Sequence, residues 1–168
     1  MNRHGFAFDI YTVAFFGHRH IDDLLRTEDT LEPMLRQLME EKIYIDFLVG
    51  KDGDFDQAVS STIRRLKRSY RDDNSSHVWV LAYPTAEYTE NQQAYEQYYD
   101  EIEICEESSA AHFKAAFQIR NRCMVDRADL IVCYIDHKSG GAYQTIRYAE
   151  KQGKQIINLC DLRDSSLP

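Results

Sequence analysis

Five short apolar runs and one segment of alternating polarity, "EIEIC", are interleaved with amphipathic stretches along the whole chain, and this pattern restricts the fold more than any other feature. "YTVAFFG" (11–17), "IYIDFLVG" (43–50), "HVWVLAYP" (77–84), "EIEIC" (101–105), "DLIVCYID" (129–136) and "KQIINLC" (154–160) have the length and the β-branched or aromatic content of strands. Between them, apolar residues recur at helical spacing. "TEDTLEPMLRQLMEEK" puts Leu31, Met34, Leu35, Leu38 and Met39 on one face, with Pro33 expected in the first turn, where its missing N–H does no harm. "DFDQAVSSTIRRLKRSY" opens with Asp54 and Gln57 in a capping-box arrangement. "TENQQAYEQYYD" reads as a short tyrosine-rich helix. "AAHFKAAFQIRNRCMVDRA" brings Phe113, Ala116, Phe117, Arg120 and Met124 near one face, and "AYQTIRYAEKQG" is a helix closed by Gly153.

Strands that alternate with helices form βαβ units, whose parallel sheet is covered on both faces. The expected fold is therefore α/β: a Rossmann-like three-layer sandwich with a mainly parallel sheet, occupying residues 1–168 as one domain. No internal repeat or linker divides the chain. With 168 residues, 43% of them apolar, and only three prolines and seven glycines, a core large enough to fold alone is available.

Composition also removes several classes of function. No stretch approaches the roughly 18 consecutive apolar residues of a membrane span. The apolar run near the N-terminus is short, broken by Asp9 and without a small-residue cleavage site, so a cytoplasmic protein without a membrane partner is expected. Cys105, Cys123, Cys133 and Cys160 form no CxxC pair, and reduced thiols are expected. A net charge of −8 disfavours general binding to nucleic-acid backbones, although a small anion can still be held by local donors.

Ligands of open α/β sheets sit beyond the carboxyl ends of the strands. Here those positions carry "FGHRH", "VGKDGDFD" and "DHKSGGAYQT", three glycine-bearing turns that each precede a helix. Glycine lets a ligand approach the main chain, and the first turn of a helix offers unpaired N–H groups at the positive end of its dipole. Neither a Walker A motif nor GxGxxG is present. Arg19 is a candidate phosphate partner, Asp56 a candidate partner for a ribose hydroxyl, and Gly140 and Gly141 a candidate cradle with Ser139 and Thr145 adding hydroxyls. Arg120 and Arg122 cannot face the same way on one helix. Asp126 and Asp129 read as structural, and Tyr88, Tyr95, Tyr98 and Tyr99 as helix packing. His18 and His20 form an HxH pair without nearby sulfur or acidic ligands in sequence, so no metal site is expected.

In combination and order, "FGHR", "VGKDGDFDQAV", "RNRCMVDRADLIVCYID" and "KSGGAYQTIRYAEKQGKQIINL" resemble the SLOG superfamily, and within it the YpsA-like branch of small bacterial proteins. The superfamily includes the Lonely-Guy phosphoribohydrolases and DNA-processing protein A, and the resemblance runs from about Tyr11 to Leu159. It implies a Rossmann-like domain that holds a nucleotide or nucleotide-derived small molecule. By motif it implicates Gly17, Arg19, Gly50, Gly53, Asp56, Arg120, Asn121, Ser139, Gly140, Gly141 and Thr145, and it implies no cofactor. A homodimer is compatible with this architecture. The Lonely-Guy enzymes carry a glutamate in the helical turn after their glycines, and Thr145 stands in that place here. Since N-glycosidic cleavage usually draws on a carboxylate, binding or sensing is the favoured expectation. Hydrolysis through Asp56 or Asp136, and an interaction protein that has lost its ligand, are the alternatives.

Overall fold

The computed structural model describes residues 9–164. Its elements run β1 (Tyr11–Gly17), α1 (Leu24–Glu41), β2 (Ile45–Val49), α2 (Asp54–Ser69), β3 (Ser75–Leu81), α3 (Ala86–Glu90) and α4 (Gln92–Tyr98). They continue with β4 (Glu101–Ile104), α5 (Glu106–Ser109), α6 (Phe113–Arg127), β5 (Leu130–Tyr134), α7 (Gly140–Lys151), β6 (Gln155–Asn158) and α8 (Leu159–Asp164). The six strands form one sheet in the order β4-β3-β2-β1-β5-β6, and every pairing in it is parallel. The expected α/β sandwich is the one observed, with its sheet parallel throughout.

The strand pleat sorts side chains to two faces. Val13, Phe15, Phe47 and Trp79 join Leu31, Leu35 and Met39 of α1 and Phe55, Ile63 and Leu66 of α2 in one core. Ala14, Phe16, Leu48 and Ile131 join Met124 and Val125 of α6 and Ile146 and Ala149 of α7 in the other. Each fully buried side chain of this size contributes about 1.5–3 kcal/mol relative to an exposed one, so the layers are held chiefly by burial. The tyrosine segment follows the packing reading. Tyr88, Tyr95 and Tyr99 surround Trp79 at centroid distances of 5.8, 4.9 and 5.2 Å.

Three local expectations need correction. α1 begins at Leu24, because the Asp23 carboxylate accepts the Arg26 N–H at 3.0 Å and caps the helix there. Pro33 therefore lies well inside α1; both it and Asp29, the residue whose carbonyl it cannot serve, are exposed. At α2 the cap residue is Gly53 rather than Asp54. The Asp54 carboxylate instead accepts the Ile21 N–H at 3.0 Å and its own N–H donates to the Arg19 carbonyl at 2.9 Å, so it ties two loops together. Finally, the last strand stops at Asn158 and the chain turns directly into α8. No disulfide forms among the described residues, and none of their helices is long and apolar enough to cross a membrane.

Candidate functional site

The sheet order reverses at β1: the chain first builds outward through β2, β3 and β4, then returns to place β5 on the other side of β1. Such a reversal parts the loops at the carboxyl ends of the two central strands and opens a crevice. A cleft of about 500 Å³ lies there, bordered by Gly17 at the end of β1 and His18–His20 after it, by Gly50–Gly53 after β2, and by His137 and Ser139–Ala142 after β5. Phe117, Arg120, Asn121 and Met124 of α6 and Asp56 of α2 complete its walls. The three glycine turns thus converge. Ten of the eleven candidate residues line this one cleft; Thr145 does not.

The turns look alike in sequence but differ in construction. A side chain at Gly17 would collide with the Phe55 ring, whose Cγ lies against the position of the missing Cβ, so this glycine serves core packing. At Gly53 the nearest atom to a missing Cβ is the Arg19 Cα at 3.1 Å, which fixes the crossing of the two loops. The turn after β2 already holds an anion, the carboxylate of Asp56. That carboxylate lies 3.0 Å from the position of the missing Gly50 Cβ and accepts the Asp52 main-chain N–H. The turn after β5 is open. Gly140 has φ +89 with nothing within 4 Å of a missing Cβ, Ser139 makes no side-chain cap, and α7 starts with its first N–H groups at the cleft.

Arg120 and Asn121 brace this open turn. Arg120 Nη1 donates to the Val80 carbonyl at 2.9 Å and its Nε donates to Asn121 Oδ1 at 3.0 Å. Asn121 Nδ2 donates to Thr145 Oγ1 at 3.0 Å, and that hydroxyl donates to the Gly141 carbonyl at 2.9 Å. Thr145, almost fully buried, therefore acts from beneath the turn. Arg122 points elsewhere, with its guanidinium 5.1 Å from the centre of the Tyr148 ring.

The cleft's electrostatics centre on Asp56. Burial lifts its pKa from 3.8 to about 6, with the charges of Arg120 and Arg19 opposing and that of Asp52 assisting. Burial likewise lowers the pKa of Arg120, against the pull of Asp56. Above pH 6 the cleft wall is thus a partly buried carboxylate facing a guanidinium, with exposed Arg19 at the mouth. Such an arrangement suits a guest that brings both an anionic group, for α7 and the arginines, and hydroxyls, for Asp56.

One group of residues escaped the sequence reading. His18 is buried, and its ring stacks on that of His137 with centroids 3.6 Å apart and planes 10° from parallel. Its Nε2 lies 3.3 Å from Asp136 Oδ1, which in turn is 2.5 Å from His137 Nδ1. Nothing in "HRH" alone points to this. The cluster needs β1 and β5 as neighbours, with Gly17 opposite Tyr134.

No protein-family model matches this chain, and no curated protein does so either. Among solved structures, the chain is similar to DNA processing protein A (DprA) from Streptococcus pneumoniae, with a TM-score of 0.63 and 15% sequence identity. The match covers 88% of this chain and 49% of that one, so this chain spans about half the length of its structural neighbour. What the two have in common is the fold: this chain adopts a Rossmann-like α/β architecture like that found in DprA.

Proposed function

We propose that this protein binds, and so senses, a nucleotide or nucleotide-derived small molecule in the cleft at the carboxyl ends of β1, β2 and β5, as a member of the SLOG superfamily. The observation that carries this reading is the open first turn of α7 beside Arg19 and Arg120, in the same cleft as a carboxylate suited to sugar hydroxyls. The phosphate would take the α7 N–H groups and the Arg19 guanidinium, and the ribose would meet Asp56. The resemblance to the YpsA-like branch supports the same class of ligand.

Differential scanning fluorimetry against nucleoside mono-, di- and triphosphates, dinucleotides, ribose phosphates and inorganic phosphate tests it. A ligand at 100 times its Kd adds about 2.7 kcal/mol, a readily measured rise in Tm. The rise should saturate, and should vanish in Arg19→Ala, an exposed position, and in Gly141→Asp, which brings a carboxylate to the α7 terminus. A melting curve indifferent to the whole panel would sink the proposal.

A second reading is supported by Asp56 itself. A carboxyl group with a pKa of about 6 in a cleft wall is suited to proton transfer near neutral pH, as hydrolysis of an N-glycosidic bond requires. Under this reading, NMR of nucleoside monophosphates incubated with the protein shows base released by the wild type and none by Asp56→Asn.

A further inference from the structure

We propose that His18, Asp136 and His137 form a binding site for a divalent first-row transition-metal ion, Zn²⁺ foremost, at the rim of the cleft. The three side chains come from two places 118 residues apart in sequence, yet the sheet leaves them no choice but to meet. His18 directly follows β1, Asp136 and His137 follow β5, and the two strands are paired in register to their last residues. One ligating atom from each residue lies within 4.8 Å of the others. Two imidazoles and one carboxylate are a donor set that zinc and its neighbours favour, and three protein ligands leave a fourth position open. Here that position would face the cleft, which both histidines line.

The contact between His18 and Asp136 is the most telling part. His18 is 7% exposed, and its Nε2 receives the His137 main-chain N–H at 3.4 Å while lying 3.3 Å from Asp136 Oδ1. Released from that long contact with the His137 N–H, the Nε2 lone pair and the carboxylate oxygen beside it offer one cation two donor atoms, one on a buried side chain and one on an exposed side chain. Their separation also fits: zinc with bonds of about 2.0–2.1 Å sets its tetrahedral ligands about 3.3–3.4 Å apart.

His137 must move to complete the site. Its Nδ1 is hydrogen-bonded to Asp136 at 2.5 Å and its ring is stacked on His18, an arrangement in which the two ring planes cannot both contain one ion. The side chains of His137 and Asp136 are 56% and 47% exposed, so rotating them meets little resistance, whereas buried His18 supplies the fixed ligand. His20, on the same loop, is outside the cluster and serves as the control.

The test uses untagged full-length protein dialysed against chelator, titrated calorimetrically with Zn²⁺ and spectroscopically with Co²⁺, in the absence of any nucleotide. One equivalent should bind, and Co²⁺ should develop the visible bands of a four-coordinate site. Losing a residue that only supports a metal ligand costs about 10–100-fold in affinity, so Asp136→Asn and His137→Ala should each lose at least as much. His20→Ala should bind as the wild type does. Both informative substitutions are at exposed positions, and circular dichroism checks that each variant is folded. Binding no tighter than millimolar, or equal affinity in all four proteins, overturns the proposal. Because no nucleotide is present, the outcome is independent of whether the cleft takes one.

Discussion

Replacing Asp56 by asparagine is expected to stabilise the protein at neutral pH and to leave it unchanged in acid. In the folded protein the Asp56 carboxyl has its pKa raised by burial from 3.8 to about 6. Between those two pH values the native state keeps a proton that the unfolded chain has released. The contribution of this group is therefore intact below about pH 4, and is lost as the pH climbs through 6. Above that, the native state carries an ionised carboxylate that costs about 3 kcal/mol, the gap between 3.8 and about 6 at 1.36 kcal/mol per pH unit. Protonation and the asparagine substitution remove the same charge from beside Arg120, so that attraction is already inside the number. The asparagine carbonyl can still accept the Asp52 N–H.

For a chain of this length, 1 kcal/mol moves Tm by about 2–4 °C, so Asp56→Asn should melt about 6–12 °C higher at pH 7.5. Near pH 4 the two proteins should melt together. The difference between variant and wild type is the quantity to read, because the wild-type profile alone conceals it. Buried His77 has its pKa lowered from 6.5 to about 4, so its stabilising effect is complete above 6.5 and disappears as the pH falls through 4. The two groups pull in opposite directions over nearly the same window. A gain that persists unchanged at pH 4, or no gain at pH 7.5, would show that the carboxylate is not desolvated as described. A carboxyl whose pKa is raised this far by burial in a cleft marks a candidate functional group.

Gly17→Ala should destabilise by about 1–3 kcal/mol in urea unfolding, since the added methyl overlaps the fully buried Phe55 ring. An unchanged midpoint would mean that the β1 turn has slack and that Gly17 serves something other than packing. Thr145→Val keeps the side-chain shape but removes the hydroxyl that accepts from Asn121 and donates to Gly141. It should lower the unfolding free energy by about 1–2 kcal/mol in urea unfolding, and it should weaken anion binding by loosening the first turn of α7.

How much of this was legible in the sequence depends on which neighbours each feature needs. The strands were readable because parallel strands buried on both faces read as nearly continuous apolar runs: Leu130–Tyr134 is apolar throughout, and Ile45–Val49 is broken only by Asp46. The membership of the cleft was readable too, because a turn that follows a parallel strand must lie at its carboxyl end wherever the strand sits in the sheet. The start of α1 was not readable. Leu24 and Leu25 are exposed, so the first turn lies outside the apolar stripe that marks the rest of the helix, and the Asp23 cap is invisible to periodicity. Nor did the sequence distinguish the three glycine turns, since their differences reside in side chains from elsewhere: Phe55 against Gly17, Asp56 against Gly50. The histidine cluster needed still more, the knowledge that β1 and β5 are adjacent. The same distinction bears on function. Three turns that look equally hospitable differ in the structure: the first glycine is packed against Phe55, the second turn holds the protein's own carboxylate, and the α7 turn is open to the cleft. Substitutions in the α7 turn should consequently govern anion affinity, whereas those at Gly17 and Gly53 should register first in stability.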